Sequence, residues 1–225
     1  MRKRKELITI AVLIVTCCII MAVVDGIIQP DYAVKSAIKI MVFLAAPVIY
    51  SLCITDLNLR KIFSWNKKGI KLTIGLAGGV YLIILAAYFA GKDIFDFSGI
   101  TKSLTMNIGV TADRFVWVAL YISFINSFLE EFFFRGFAFL TIKNYMPRKF
   151  AYIFSSLMFA LYHVAMMIGW FSAGMYFIIM AGLFAGGLVF NYLNEKNETI
   201  YSSWMVHMFA NFAINTIGFI LFGIL

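Results

Sequence analysis

Long apolar runs, separated by short polar segments, fill most of the sequence. Seven of these runs approach or exceed the roughly 20 residues that a membrane-spanning helix requires. They lie near residues 7–24, 33–54, 70–90, 115–140, 150–168, 170–192 and 200–225. The pattern therefore predicts an all-α fold, a polytopic transmembrane helical bundle of about seven or eight spans.

Composition supports a membrane protein and excludes an ordinary soluble domain. Of the 225 residues, 63% are hydrophobic and 13% are charged, whereas soluble domains are about half apolar and about a quarter charged. The net charge of +8 would suggest nucleic-acid binding in a soluble protein. Here most basic residues lie in short loops between spans, where they set topology. We therefore predict the lipid bilayer as a partner and no nucleic acid.

The basic residues divide unevenly between the two sides of the predicted bundle. With the N-terminus in the cytoplasm, 13 Lys and Arg residues fall on the cytoplasmic side and 5 on the other, with Arg135 inside a span. This asymmetry predicts a multi-pass protein of the cell membrane, with its N-terminus in the cytoplasm and its C-terminus outside. Lys35 and Lys39 fall within the second run, and we expect both side chains to extend to its rim.

Two segments between spans are neither plain loops nor clear spans. Residues 57–69 mix Leu, Phe and Trp with basic residues, which predicts a segment on the cytoplasmic surface. Residues 91–114 are moderately apolar but carry several charges, which favours an interfacial flap on the other side. Small-xxx-small pairs, which let helices pack closely, occur at Gly75/Gly79 and Gly182/Gly186.

Five ionisable residues lie deep inside the predicted spans. They are Glu130, Glu131 and Arg135 in the fourth span, His163 in the fifth and His207 in the seventh. A charged group at the bilayer centre costs at least about 2.5–3.5 kcal/mol. Residues of this kind therefore indicate a functional site by default.

Three of these residues lie at a similar depth. The separations are 13 residues from Glu130 to Lys143, 14 from Lys149 to His163 and 11 from Lys196 to His207. At about 1.5 Å per helical residue, they correspond to roughly 20, 21 and 16 Å from cytoplasmic charges. We therefore expect three helices to bring their titratable groups to one level.

Helical phase separates the two adjacent glutamates. Glu131 and Arg135 are i,i+4 neighbours and are predicted to pair, while Glu130 points about 100° away toward a different partner. Polar residues extend the site along the fourth span at Ser123, Asn126 and Ser127, and along the seventh at Ser203, His207, Asn211 and Asn215. The two polar faces predict an intramembrane polar cavity containing water.

The residue types allow more than one chemistry. A carboxylate with an imidazole can deprotonate a water molecule, and further polar groups can stabilise an oxyanion. If a metal is bound, Glu130, His163 and His207 form a His₂Glu set that suits Zn²⁺. A serine nucleophile is disfavoured, because neither Ser123 nor Ser127 has a histidine nearby in the sequence.

Other readings of the same residues stay open. Glu131 and Arg135 alone fit a buried structural pair, and the Asn/Ser stripe alone fits helix–helix contact. A non-catalytic membrane scaffold, for bacteriocin immunity or cell-envelope regulation, is the main alternative function. A proton-coupled transporter would use Glu130 and the histidines as a relay, but the chain shows no inverted repeat.

Three motifs occur in order on successive apolar runs. Residues 130–135, EEFFFR, fit E-E-x-x-x-R; residues 159–163, FALYH, fit F-x-x-x-H; and residues 207–211, HMFAN, fit H-x-x-x-N. Together they resemble the CPBP family of intramembrane proteases, which includes the Rce1-type CAAX prenyl proteases and the bacteriocin-processing, abortive-infection-like membrane proteins. The resemblance covers roughly residues 115–215.

The resemblance implies a function and a role for each motif residue. It implies an intramembrane, CAAX-protease-like endopeptidase, in which Glu130 and His163 activate water. His207 and Asn211 would stabilise the tetrahedral intermediate or help to hold a metal, with Glu131, Arg135 and Phe159 as supporting residues. The implied substrate is a membrane-associated protein or peptide, of a lipid-modified or bacteriocin-like kind, and the short loops with many Lys residues indicate a bacterial source.

The resemblance also implies a division of the chain. Residues 115–225 would form the catalytic helical core, and residues 1–114 would form N-terminal transmembrane segments with interfacial loops. Members of the family have about eight membrane helices. The resemblance therefore implies either an eighth span in residues 91–114 or a shortened member.

Overall fold

The computed structural model describes residues 2–53, 59–64, 67, 69–168 and 170–225. Within these ranges all regular structure is helical, which confirms the predicted all-α polytopic bundle. Seven helices in the described ranges are long and apolar enough to cross a membrane. We number them as spans one to seven: Lys5–Ile28, Tyr32–Cys53, Ile70–Gly91, Ala112–Lys143, Arg148–Met166, Ala173–Asn197 and Tyr201–Leu221.

Several spans combine α-helical segments with π-helical turns. The α-helical segments are α1 (Arg2–Val23), α2 (Tyr32–Ile40), α3 (Ala46–Cys53), α4 (Ile70–Gly91), α5 (Ser98–Ile108), α6 (Ala112–Tyr121), α7 (Ser127–Glu130), α8 (Leu140–Lys143), α9 (Arg148–Met166), α10 (Ala173–Asn197) and α11 (Tyr201–Leu221). The π-helical segments are Val24–Ile28, Met41–Ala45, Ile122–Asn126 and Glu131–Phe139, and a short 3₁₀ helix covers Leu59–Phe63. π-helical turns are rare and occur frequently at functional sites. The two in span four therefore favour a functional role for that span.

Span four forms the centre of the bundle. Its π-helical segment Glu131–Phe139 is buried at every residue. Four of its five phenylalanines belong to the main apolar core, and Phe132 belongs to a smaller cluster. Phe43 of span two stacks on Phe133 with ring centroids 4.2 Å apart and contacts Phe134 edge to face. Aromatic packing of this kind fixes the rotation of span four, and so fixes the direction in which its acidic residues point.

The turn between spans one and two explains where the second helix begins. Pro30 cannot donate a backbone hydrogen bond, and Asp31 follows it as the N-cap of α2. The Asp31 carboxylate accepts the backbone N–H groups of Ala33 (2.9 Å) and Val34 (3.0 Å). Such a cap satisfies N–H groups that the first helical turn leaves unpaired.

The segments between spans resolve part of the topology question. In residues 91–114 the structure has α5, which at 11 residues is too short to span a bilayer. An eighth span is therefore not formed there. In the predicted surface segment 57–69, the structure gives the 3₁₀ helix Leu59–Phe63, while residues 57, 58, 65, 66 and 68 lie outside the described residues.

The predicted glycine pairs do not make close helix contacts. A Cβ atom added at Gly75, Gly79, Gly182 or Gly186 would meet nothing within 4 Å, so that prediction is wrong. The close approach in span six is one residue further on, at Gly187, where an added Cβ would lie 2.9 Å from Ser156 Cβ. Sequence spacing identified the small residues, but the rotation of the helix decides which one faces a neighbour.

Candidate active site in the membrane interior

Glu130, His163 and His207 meet in the interior of the bundle, as their depth predicts. Spans four, five and seven supply one residue each, and the residues are 2%, 8% and 6% exposed. Glu130 Oε2 lies 3.7 Å from His163 Nε2 and 3.7 Å from His207 Nε2. One carboxylate oxygen is therefore placed between two imidazole nitrogens, slightly beyond hydrogen-bond distance of each.

A backbone carbonyl sets the tautomer of His163. Its Nδ1 lies 2.7 Å from the carbonyl oxygen of Phe159, one turn earlier in the same helix. Because a carbonyl oxygen can only accept, Nδ1 carries the hydrogen and donates it. In the neutral imidazole, Nε2 then presents a lone pair toward Glu130.

His207 is oriented by a carboxylate instead. Its Nδ1 lies 2.9 Å from Glu131 Oε1, so Nδ1–H donates to the carboxylate. A carboxylate in this position fixes the ring and stabilises an imidazolium. The two histidines therefore differ in what their Nδ1–H groups bind: His163 donates to a backbone carbonyl oxygen, whereas His207 donates to a carboxylate oxygen.

The predicted Glu131–Arg135 pair is confirmed, and the structure adds a third member to it. Arg135 Nη1 lies 3.3 Å from Glu131 Oε1, the oxygen that also accepts from His207. Both Glu131 and Arg135 are fully buried. Glu131 thus joins a structural cation to a candidate catalytic imidazole, a link that the i,i+4 spacing alone did not reveal.

Aromatic rings enclose the buried guanidinium. The Arg135 Cζ atom lies 4.0 Å from the ring centroid of Phe159 and 4.9 Å from that of Phe190. Phe159 also contacts His163 edge to face, at 4.8 Å, and Phe190 stacks on His207 at 5.2 Å. Phe159 therefore contacts both Arg135 and His163, while its supporting role stays a prediction; Phe190 carries no motif signal and was missed from the sequence.

The polar stripe of span seven contacts the π-helical turn of span four directly. Asn211 Nδ2 donates to the Ile122 carbonyl oxygen (3.1 Å). Asn215 Nδ2 donates to the Ala119 carbonyl oxygen (3.1 Å) and to Ser123 Oγ (3.0 Å). These side chains satisfy polar groups at the irregular turn Ile122–Asn126, so the two polar faces meet by direct hydrogen bonds at this level.

The prediction that Lys35 and Lys39 extend to the rim is wrong. Lys39 is 4% exposed, and its Nζ lies 2.5 Å from Glu130 Oε1. Lys35, one helical turn earlier, pairs with the buried Asp25 of span one at 2.6 Å. Both lysines lie on the face of α2 that meets the bundle, because carboxylates are available there and lipid offers none.

The predicted zinc ligand set consists of Glu130, His163 and His207. Two imidazole nitrogens and a carboxylate oxygen are donor types that zinc accepts. However, no group of three His, Cys, Asp or Glu side chains in the described part of the chain is arranged to hold a metal. The second oxygen of Glu130 is already bound by the Lys39 ammonium. Zinc binding therefore stays a prediction from residue types. The hydrolysis proposed for this site uses only side chains of the protein.

The part of the chain that contains these residues is similar to a known protein family. Residues 112–213 match the family model described as "Type II CAAX prenyl endopeptidase Rce1-like". This region is similar to that family, and we refer to it as the Rce1-like region. The match confirms the resemblance that the three motifs indicated, and it is consistent with the wider CPBP group of CAAX proteases. Searches of curated proteins and of solved structures each gave no match.

The Rce1-like region contains every motif residue of the site. Glu130, Glu131, Arg135, Phe159, His163, His207 and Asn211 all fall between residues 112 and 213. The family is one of proteases, while the individual roles of these residues stay predictions. Lys39 lies outside the region, so one contact of Glu130 comes from a part of the chain that the family model does not cover.

Proposed function

We propose that the protein is an intramembrane endopeptidase that hydrolyses a peptide bond of a membrane-associated protein or peptide. The observation that carries the proposal is the position of Glu130 Oε2, 3.7 Å from the Nε2 atoms of both histidines. A water molecule placed among these three atoms would have acceptors for both of its hydrogens. Such a water would have a lone pair left to attack a carbonyl carbon.

The proton movements follow from the hydrogen bonds around the site. Glu130 Oε2 takes a proton from the water while the water oxygen bonds to the scissile carbonyl carbon. His163 Nε2, with Nδ1–H held by the Phe159 carbonyl oxygen, accepts a hydrogen bond from the other O–H group, which stays on the oxygen, and so orients the attack. Glu130 then passes its proton to the amide nitrogen as the carbon–nitrogen bond breaks.

The oxyanion that forms on the carbonyl oxygen needs hydrogen-bond donors. His207 supplies an Nε2–H when it is protonated, a state that Glu131 stabilises through Nδ1. Asn211 lies one helical turn further along, and one of its amide hydrogens is committed to the Ile122 carbonyl oxygen. Its other amide hydrogen is the second donor. Preorganised donors of this kind contribute strongly in a low-dielectric site.

The test compares peptides from cells that express the wild type or Glu130→Gln at matched membrane levels. Mass spectrometry of membrane and secreted peptides should find fragments that occur only with the wild type. Glu195→Gln is the matched control, because it makes the same change at a glutamate far along span six, and it should give the wild-type fragments. Identical peptide profiles for wild type and Glu130→Gln would contradict the proposal and favour the scaffold function.

A further inference from the structure

Lys39, Asn126 and Glu130 form a closed ring of polar contacts. The Lys39 ammonium donates to Glu130 Oε1 at 2.5 Å and to Asn126 Oδ1. Asn126 Nδ2 in turn donates to the same Glu130 Oε1 at 2.9 Å. Two of the three contacts therefore fall on one oxygen of the carboxylate, Oε1, and leave the other, Oε2, to face the histidines.

Aromatic rings surround the rest of the Lys39 ammonium. Its Nζ lies 4.8 Å from the ring centroid of Tyr162 and 5.4 Å from that of Phe43. Cation–π contacts partly replace the water that the ammonium has lost. When one member of a buried ion pair is removed, the other charge is left without a partner. The effects of substituting Lys39 and Glu130 on stability are therefore coupled.

The ring of contacts has a consequence for the orientation of Glu130. The last torsion of a glutamate side chain is broad and roughly two-fold, so an unrestrained carboxylate would exchange its two oxygens. Two donors on Oε1 remove this freedom. They hold Oε2 at equal distances from His163 Nε2 and His207 Nε2.

We propose that Lys39 is a positioning residue for the hydrolysis, and this inference rests on the proposed function. It holds Glu130 by Oε1, so that Oε2 stays at the place where water is deprotonated. Its positive charge also offsets the carboxylate charge in a region of low dielectric constant. Span two, outside the Rce1-like region, would thereby complete the site.

The first arm of the test measures the coupling without any assay of activity. Thermal unfolding in detergent is compared for wild type, Lys39→Met, Glu130→Gln and the double variant. Each single change leaves a buried charge without its partner, so the double variant should unfold at a higher temperature than either single variant. Lys35→Met is the matched control, since it removes a lysine one turn away that pairs with Asp25. Its effect should add to that of Glu130→Gln.

The second arm measures turnover of a peptide that the wild type cleaves and that Glu130→Gln does not cleave. Lys39→Met should lower kcat by roughly 10²-fold, the scale of a misplaced catalytic group, with little change in KM. Lys39→Arg keeps the charge and should recover part of that loss. Lys35→Met should stay within a few-fold of wild type.

The outcomes distinguish a failure of the role of Lys39 from a failure of the proposed function. Wild-type kcat in Lys39→Met, a loss confined to KM, or simple additivity in the unfolding cycle would overturn the role of Lys39 while leaving the proposed function intact. If the wild type cleaves no peptide, the proposed function fails. A coupled unfolding cycle would then assign the Lys39–Glu130 pair a structural role, which also overturns the inference.

Discussion

Two clusters of ionic side chains in this bundle use the same chemistry in different surroundings. The interior cluster consists of Lys39, Glu130, Glu131 and Arg135. The peripheral cluster consists of Lys143, Arg148, Tyr152 and Glu195, at one end of spans four, five and six. In the peripheral cluster Glu195 lies 3.1 Å from Lys143 Nζ and 2.7 Å from Arg148 Nη2, distances much like those of the interior cluster.

The clusters differ in their access to solvent. Arg148 is 64% exposed at its side chain, whereas no side chain in the interior cluster is more than 4% exposed. Exposed ion pairs contribute about 0–1 kcal/mol because water competes for both partners. Breaking a buried pair costs more, since the remaining charge finds no water. Distance alone therefore says little about what a salt bridge does.

The largest effect on stability is expected for the buried guanidinium. Arg135→Met leaves Glu131 without its cation and should lower the free energy of unfolding by about 3–5 kcal/mol. Thermal or denaturant unfolding in detergent measures this loss. Arg148→Met makes the same change in the peripheral cluster and should leave the unfolding temperature nearly unchanged. Equal shifts for the two variants would remove the distinction between the clusters.

A buried neutral contact should give an intermediate effect. Asn215→Leu leaves the Ala119 carbonyl oxygen and Ser123 Oγ without their donor, which should cost about 1–3 kcal/mol. The neighbouring Ile214 is 54% exposed and points about 100° away around the helix, so Ile214→Leu is a suitable control. If both variants unfold like the wild type, the contact between span seven and the π-helical turn is not stabilising.

The smallest effect is expected for the peripheral cluster. Glu195→Gln removes its shared carboxylate and should cost at most about 1 kcal/mol, an amount that falls further as salt screens the charges. Unfolding curves at low and high salt measure both quantities. A large loss that is independent of salt would mean that Glu195 is as isolated from solvent as Glu131.

The sequence predicted the depth of the site but not its full membership. Counting residues from the basic residues at the ends of the spans predicted one level for Glu130, His163 and His207, and the three residues do meet, although Glu131–Phe139 is π-helical rather than α-helical as the count assumed. Phe190 and Lys39 also contact the site. Phe190 has no spacing or motif that could have identified it, whereas Lys39 is an ionisable residue within the second apolar run and was assigned to the rim. Both contacts depend on how spans two and six are rotated about their axes. Because apolar residues occur on every side of a span, the sequence pattern does not predict that rotation.

The same limit explains the wrong predictions. Lys35 and Lys39 share one face of α2, and the sequence cannot distinguish a face that meets the rim from one that meets carboxylates of other spans. Gly182 and Gly186 have the spacing of a packing motif, but Gly187 is the residue that touches span five. A rotation of one residue, about 100°, separates the two outcomes.

The sequence by itself determined the seven clear spans, the all-α class and the residues of the three motifs, while it left an eighth span open. These follow from local rules, since apolar length defines a span and the cost of a buried charge marks a site. The tertiary structure decided which oxygen of Glu130 faces the histidines, which carboxylate orients His207 and which cation neutralises Glu130. Those contacts join residues that are 76 and 91 positions apart in the chain, and they form only when the spans pack around span four.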